Sequence, residues 1–109
     1  MEGPMTDYGI VIMMASSSDE AEKIAETLVS RKLAACVNIL PNIKSFYWWE
    51  GKICRDTELC LLAKIKKEAF KEVERVVKEV HSYDVPEIIL LPIEEGSEAY
   101  LNWISAVTQ

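Results

Sequence analysis

Three apolar runs, Ile10 to Met14, Leu59 to Ala63 and Ile88 to Leu91, limit what this chain can fold into more than any other feature, because almost no position in them is polar. A strand with one face in water alternates apolar and polar side chains, so runs without alternation belong to strands covered on both faces. Between the first two, Ser16, Ser17, Ser18 and Asp19 offer caps for a helix start, and Ala21, Ile24, Ala25, Leu28 and Val29 recur at helical spacing. Ala34 to Trp49 turns strand-like again, with Pro41 marking an edge or a bulge because it lacks a ladder donor. Glu50, Gly51 and Lys52 then form a tight turn, and Ile53 to Ile65 returns as the second arm of a long hairpin. A second helix lies between Lys67 and His81, its Phe70, Val73, Val76, Val77 and Val80 on one face and charged residues, Glu74 and Lys78 among them, on the other. Pro86 restricts Val85 and separates that helix from the strand Ile88 to Ile93, and Ala99 to Val107 reads as a short terminal helix.

The order strand, helix, strand, strand, helix, strand, terminal helix is that of an α+β, ferredoxin-like βαββαβ sandwich with both main helices on one sheet face. One short terminal helix cannot cover the other face of a four-stranded sheet. The unalternating strands therefore imply that neighbouring copies of the chain cover the rest, since large exposed apolar patches mark interaction sites.

The chain's 109 residues suffice for one domain, 1–109, with residues 1–6 as a flexible leader and Met5 as an alternative start. Half of the residues are hydrophobic, which excludes disorder, and a net charge of -6 repels phosphate backbones and anionic lipid, so nucleic acid and membrane are not expected partners. Cys36, Cys54 and Cys60 make an odd count outside any zinc or redox pairing, which together with the absence of a signal-like start points to reduced thiols in the cytoplasm. Cys36 and Cys60, inside apolar runs, read as packing residues.

No phosphate loop or nucleophile elbow stands in the sequence and only one His is available as a base, so the chain is expected not to be an enzyme. The single His81, at the end of the second helix beside Tyr83 and Glu87, is either a structural imidazole or a metal ligand. The run Phe46, Tyr47, Trp48, Trp49 places aromatic surface just before the hairpin turn, where it packs in the core, fills a partner's groove or walls a ligand pocket, and its position on a protruding hairpin favours the contact between subunits.

These residues resemble a known family, the divalent cation tolerance proteins called CutA. The resemblance rests on Ala34, Ala35, Cys36, Val37 and Asn38; on Tyr47 to Ile53; on His81 to Ile88; and on Tyr100 to Trp103. It implies a ferredoxin-like subunit in a homotrimer and a role in tolerance to divalent cations, copper among them. Some members look like copper binders through a Cys ending the first strand and adjacent His residues before the Tyr. Here Met14 takes the place of that Cys and Val80 that of the first His, so the implied metal ligands are His81, Met14 and Glu87. A rival expectation is a trimeric module similar in fold to the PII signal transducers, with a small ligand or protein in clefts between subunits. Tyr47, Trp48, Trp49, Lys64, Tyr83 and Glu87 are the residues expected at such clefts or at the trimer interface.

Overall fold

The computed structural model describes residues 6–109. The leader expected at Met1 to Pro4 and the alternative start at Met5 lie outside those residues. Thr6, counted with that leader, is half-buried, and its hydroxyl donates to the Ile93 carbonyl.

The elements follow in the order β1 (Tyr8–Ala15), α1 (Ser18–Ser30), β2 (Cys36–Trp49), β3 (Lys52–Lys66), α2 (Phe70–Val80), β4 (Ile88–Pro92) and α3 (Glu98–Val107), with a single 3-10 turn at Lys67–Ala69 leading into α2. The four strands form one sheet in the order β2-β3-β1-β4. β1 pairs antiparallel with both β3 and β4, and β2 with β3, which is the ferredoxin-like topology.

Each helix begins where the sequence supplies a cap. Ser17 accepts a hydrogen bond from the Glu20 amide at 3.1 Å and starts α1, while Ser97 does the same for the Tyr100 amide at 3.4 Å and starts α3. α1 and α2 pack on one face of the sheet. Val11, Met13, Leu61, Ala63 and Ile65 point from the strands into Ile24, Leu28, Val73, Val76 and Val77 of the helices, all at most 1% exposed. At ~1.5–3 kcal/mol for each fully buried large aliphatic side chain, this layer is the main hydrophobic core of the chain.

The opposite face carries Ile10, Ile12 and Met14 of β1, Cys60, Leu62 and Lys64 of β3, and Ile89 and Leu91 of β4. α3 lies over one end of it: Ile104 is fully buried there, and the hydroxyls of Tyr8 and Ser105 are hydrogen-bonded to each other. The remainder is open, with Leu40, Ile89 and Leu91 exposed. β1 thus alternates in burial although it does not alternate in polarity. Cys36 and Cys60, expected to pack as small hydrophobes, lie half-buried, and Cys54 is likewise half-buried on the hairpin.

β2 and β3 extend well beyond the helices as a twisted ribbon. Two positions set its course. Pro41 and Asn42 together oppose Leu59 between the pairs Leu40–Cys60 and Ile43–Glu58, a bulge on an edge strand that Pro can occupy. The turn between Trp49 and Lys52 places Glu50 and Gly51 at φ 50° and 77°, the two left-handed positions of a type I′ hairpin that matches the twist of its strands.

Candidate functional site

The bulge decides where the aromatic side chains go. An extra residue in β2 reverses its alternation, so beyond Pro41 the odd-numbered Ile43, Ser45, Tyr47 and Trp49 share the open face with Cys54, Asp56, Glu58 and Cys60 of β3. Phe46 and Trp48 then stand on the other side with Arg55 and Ile53, where no helix reaches them. Phe46, Trp48 and Ile53 are 65%, 72% and 62% exposed. Arg55 sits 5.4 Å from the centre of the Phe46 ring, a partial cover by cation–π contact. The ribbon therefore carries aromatic rings on both sides in a single chain.

On the open face the ribbon and the segment 81–87 form the two sides of a groove of about 710 Å³. Its lining includes Met14, Tyr47, Trp49, Glu58, Tyr83, Asp84 and Glu87. Glu58 is the one charged side chain buried among the described residues, at 7% exposure. The Tyr83 hydroxyl donates to its Oε2 at 2.7 Å. Burial, reinforced by this bond to Glu58, pushes the Tyr83 phenol well above its ordinary value, so it stays a donor at physiological pH. Tyr47 donates to Asp56, and that bond raises its phenol to about 12.

The 81–87 segment is held by two anchors. Glu20, on the first turn of α1, accepts from the Ser16 amide at 3.0 Å through Oε1 and from the Ser82 amide at 2.8 Å through Oε2. Partial burial opposes ionisation of Glu20, but the hydrogen bonds from Ser82 and Ser16 outweigh it and hold its carboxyl below its usual value. His81 is the second anchor. Its Nε2 stands 2.6 Å from the Met14 carbonyl and its Nδ1 3.1 Å from the Tyr83 amide. A carbonyl only accepts and an amide only donates, so Nε2 carries the proton and Nδ1 offers its lone pair to Tyr83. The ring also rests against Tyr83, with centroids 4.7 Å apart.

This geometry bears directly on a metal. A ligating imidazole needs a free nitrogen lone pair, and both nitrogens of His81 are engaged within its own chain. Its bond to Met14 uses the backbone carbonyl and not the thioether, which belongs to the open sheet face. Glu87 is exposed, and burial together with the Glu87 carboxylate pushes the neighbouring Cys60 thiol up, away from the thiolate a soft metal prefers. No three His, Cys, Asp or Glu side chains converge into a metal-sized cluster among the described residues. His81, Met14 and Glu87 of one chain do not fit a metal ion.

The other expected site residues divide. Tyr47, Trp49, Tyr83 and Glu87 come together in the groove. Trp48 does not, because the bulge turns it to the opposite side of the ribbon. Lys64 lies six residues along β3 from Glu58, about 20 Å away at strand rise, where it donates to Asn38. Glu58 and Asp84 were not singled out by sequence reasoning. An acidic residue two positions before Cys60, on the same face as an apolar run, was the available signal for Glu58.

Residues 9–107 match the family model described as CutA1 divalent ion tolerance protein. The chain belongs to the CutA family. The divalent-cation tolerance protein CutA of Archaeoglobus fulgidus is 47% identical over 102 residues, 94% of this chain and 99% of that protein. The solved structure of the divalent cation tolerance protein of Thermus thermophilus matches with a TM-score of 0.91 and 43% identity, covering 94% of this chain and 99% of that one. A chloroplastic CutA 1 of Oryza sativa is 41% identical over 92% of this chain, which spans 56% of that longer protein. CutA is a family of divalent cation tolerance proteins and not an enzyme family.

Proposed function

We propose that this protein acts in divalent-cation tolerance as a cytoplasmic homotrimer, with copper or another divalent cation held by groups that more than one copy supplies. The observation that carries this reading is the pair of uncovered apolar surfaces: the open sheet face around Ile89 and Leu91, and the two-sided aromatic ribbon with Trp48 at 72% exposure. A chain that must bury both has a neighbour on each side, and a closed ring of like copies satisfies every subunit equally. The cytoplasm is proposed on the odd number of cysteines, all of them free.

Copper titration by calorimetry of the intact oligomer, beside His81→Ala, tests the metal half of the reading. Saturable binding that survives His81→Ala is expected, because that ring is committed to Met14 and Tyr83. No saturable binding by an oligomer of verified mass would remove the cation from the account, and loss of binding in His81→Ala would return the imidazole to the ligand set.

A second reading is favoured by the groove itself. A trimeric module similar to the PII transducers would hold a small ligand beside Tyr47, Trp49, Tyr83 and Glu87, with any metal incidental.

A further inference from the structure

The groove between the ribbon and the 81–87 segment, at about 710 Å³, falls within the ~300–1,000 Å³ typical of small-molecule sites. Its chemistry is one-sided. The carboxylates of Glu58, Asp84 and Glu87 line it and the rings of Tyr47 and Trp49 form a wall, while Lys44, the one cationic residue bordering it, pairs with Thr57 on the opposite side of the ribbon. Glu58 is the decisive group. A carboxylate buried to 7% exposure ordinarily holds a cation or gathers several donors, yet this one receives a single hydrogen bond, from Tyr83. Every side-chain ion pair among the described residues lies on α2, so no lysine, arginine or histidine neutralises it.

The size of a cation that would suit these groups follows from their spacing. Bare metal ions draw oxygen ligands to ~2.0–2.6 Å, and the acidic groups here do not converge that far. A cation of several heavy atoms reaches carboxylates that are spread apart, and aromatic faces attract ammonium and guanidinium groups in addition. We propose that the groove binds a small organic cation, an alkyl amine or guanidinium, with Glu58 as its charge anchor and Tyr47 and Trp49 as its wall. The proposal rests on the second reading above, since it needs the groove to be open in the assembled protein.

The test is calorimetric titration of the purified oligomer in EDTA with three probes of similar length: agmatine, neutral pentanamide and anionic glutarate. Saturable binding of agmatine alone is expected, weakened roughly tenfold or more by Glu58→Gln and less by Glu87→Gln, with Glu72→Gln on the far side of α2 as an unaffected control. If Glu58→Gln does not fold, Trp49→Ala and Glu87→Gln carry the comparison. Agmatine binding that is equal in the wild type and in these variants overturns the proposal, as does glutarate or pentanamide binding as tightly. Failure of all three probes would remove the open groove and, with it, the second reading; preference for glutarate would remove only the organic cation.

Discussion

The two faces of the sheet are built from similar residues and have opposite fates. On the helix side, Met13, Leu61 and Ile65 are fully enclosed by α1 and α2. On the other, Ile12 and Leu62 alternate with them along the same strands and Ile89 of β4 lies beside Ile12, yet only α3 covers part of that side. The first face is closed by its own chain, whereas the second is left partly open by it and, in the homotrimer proposed above, is completed by another copy. Stability that comes from the chain's own core is independent of concentration; stability that comes from an interface rises with it.

The sharpest contrast is between Leu61 of β3, on the helix side, and Trp48 of β2, on the ribbon. Leu61→Ala should cost ~2–5 kcal/mol by removing a fully buried side chain, the same at every protein concentration in urea titrations. An effect that disappears on raising the concentration would show that the helix-side layer is not self-sufficient. Trp48→Ala should instead leave far-UV circular dichroism unchanged and weaken association by ~2 kcal/mol or more, the range of a buried aromatic anchor at an interface. If sedimentation of the variant matched the wild type, the ribbon would have to be placed outside the subunit contacts.

Smaller effects sharpen the picture around the groove. Glu20→Gln should cost about 1 kcal/mol by weakening the bond to the Ser82 amide. Because the folded-state pKa of Glu20 lies below its ordinary 4.5, the ionised form contributes fully above that value, and the contribution is lost as pH falls through the folded-state pKa. The gap between wild type and variant in thermal melts should therefore close in acid; a gap independent of pH would mean that the carboxylate charge is immaterial. Smallest of all, Arg75→Ala should barely move the thermal midpoint, and less still in high salt, although Arg75 pairs with both Glu72 and Glu79, since the three are exposed on α2 and solvent screens them; a large shift would contradict this.

Local rules made most of the fold legible. Ser17 capped a helix where hydroxyls preceded helical spacing, Glu50 and Gly51 formed the expected turn, and Pro41 sat on an edge strand at a bulge, which meets both of the roles open to it. The missing alternation in β1 and β3 also foretold apolar side chains on both faces of the sheet, of which the chain's own helices close one and α3 only part of the other. The site was less legible because it depends on parity and on distant contacts. One extra residue at Pro41 and Asn42 exchanges the faces of everything after it, which sends Trp49 to the groove and Trp48 away from it. Lys64 and Glu58 lie on one face, but Lys64 is near the end of β3 and Glu58 at its middle, and strand periodicity fixes only the face. His81 looked like a ligand in sequence because its partners, the Met14 carbonyl 67 positions earlier and the Tyr83 amide, are backbone groups that no residue pattern reveals.

The most direct test of the central claim is molar mass by light scattering across a dilution series, for wild type and Trp48→Glu. The account predicts three times the chain mass of 12.4 kDa for the wild type down to low micromolar concentration, and a smaller species for the variant. A wild-type protein that stays folded at the mass of one chain, with its ribbon and open sheet face in water, would contradict it.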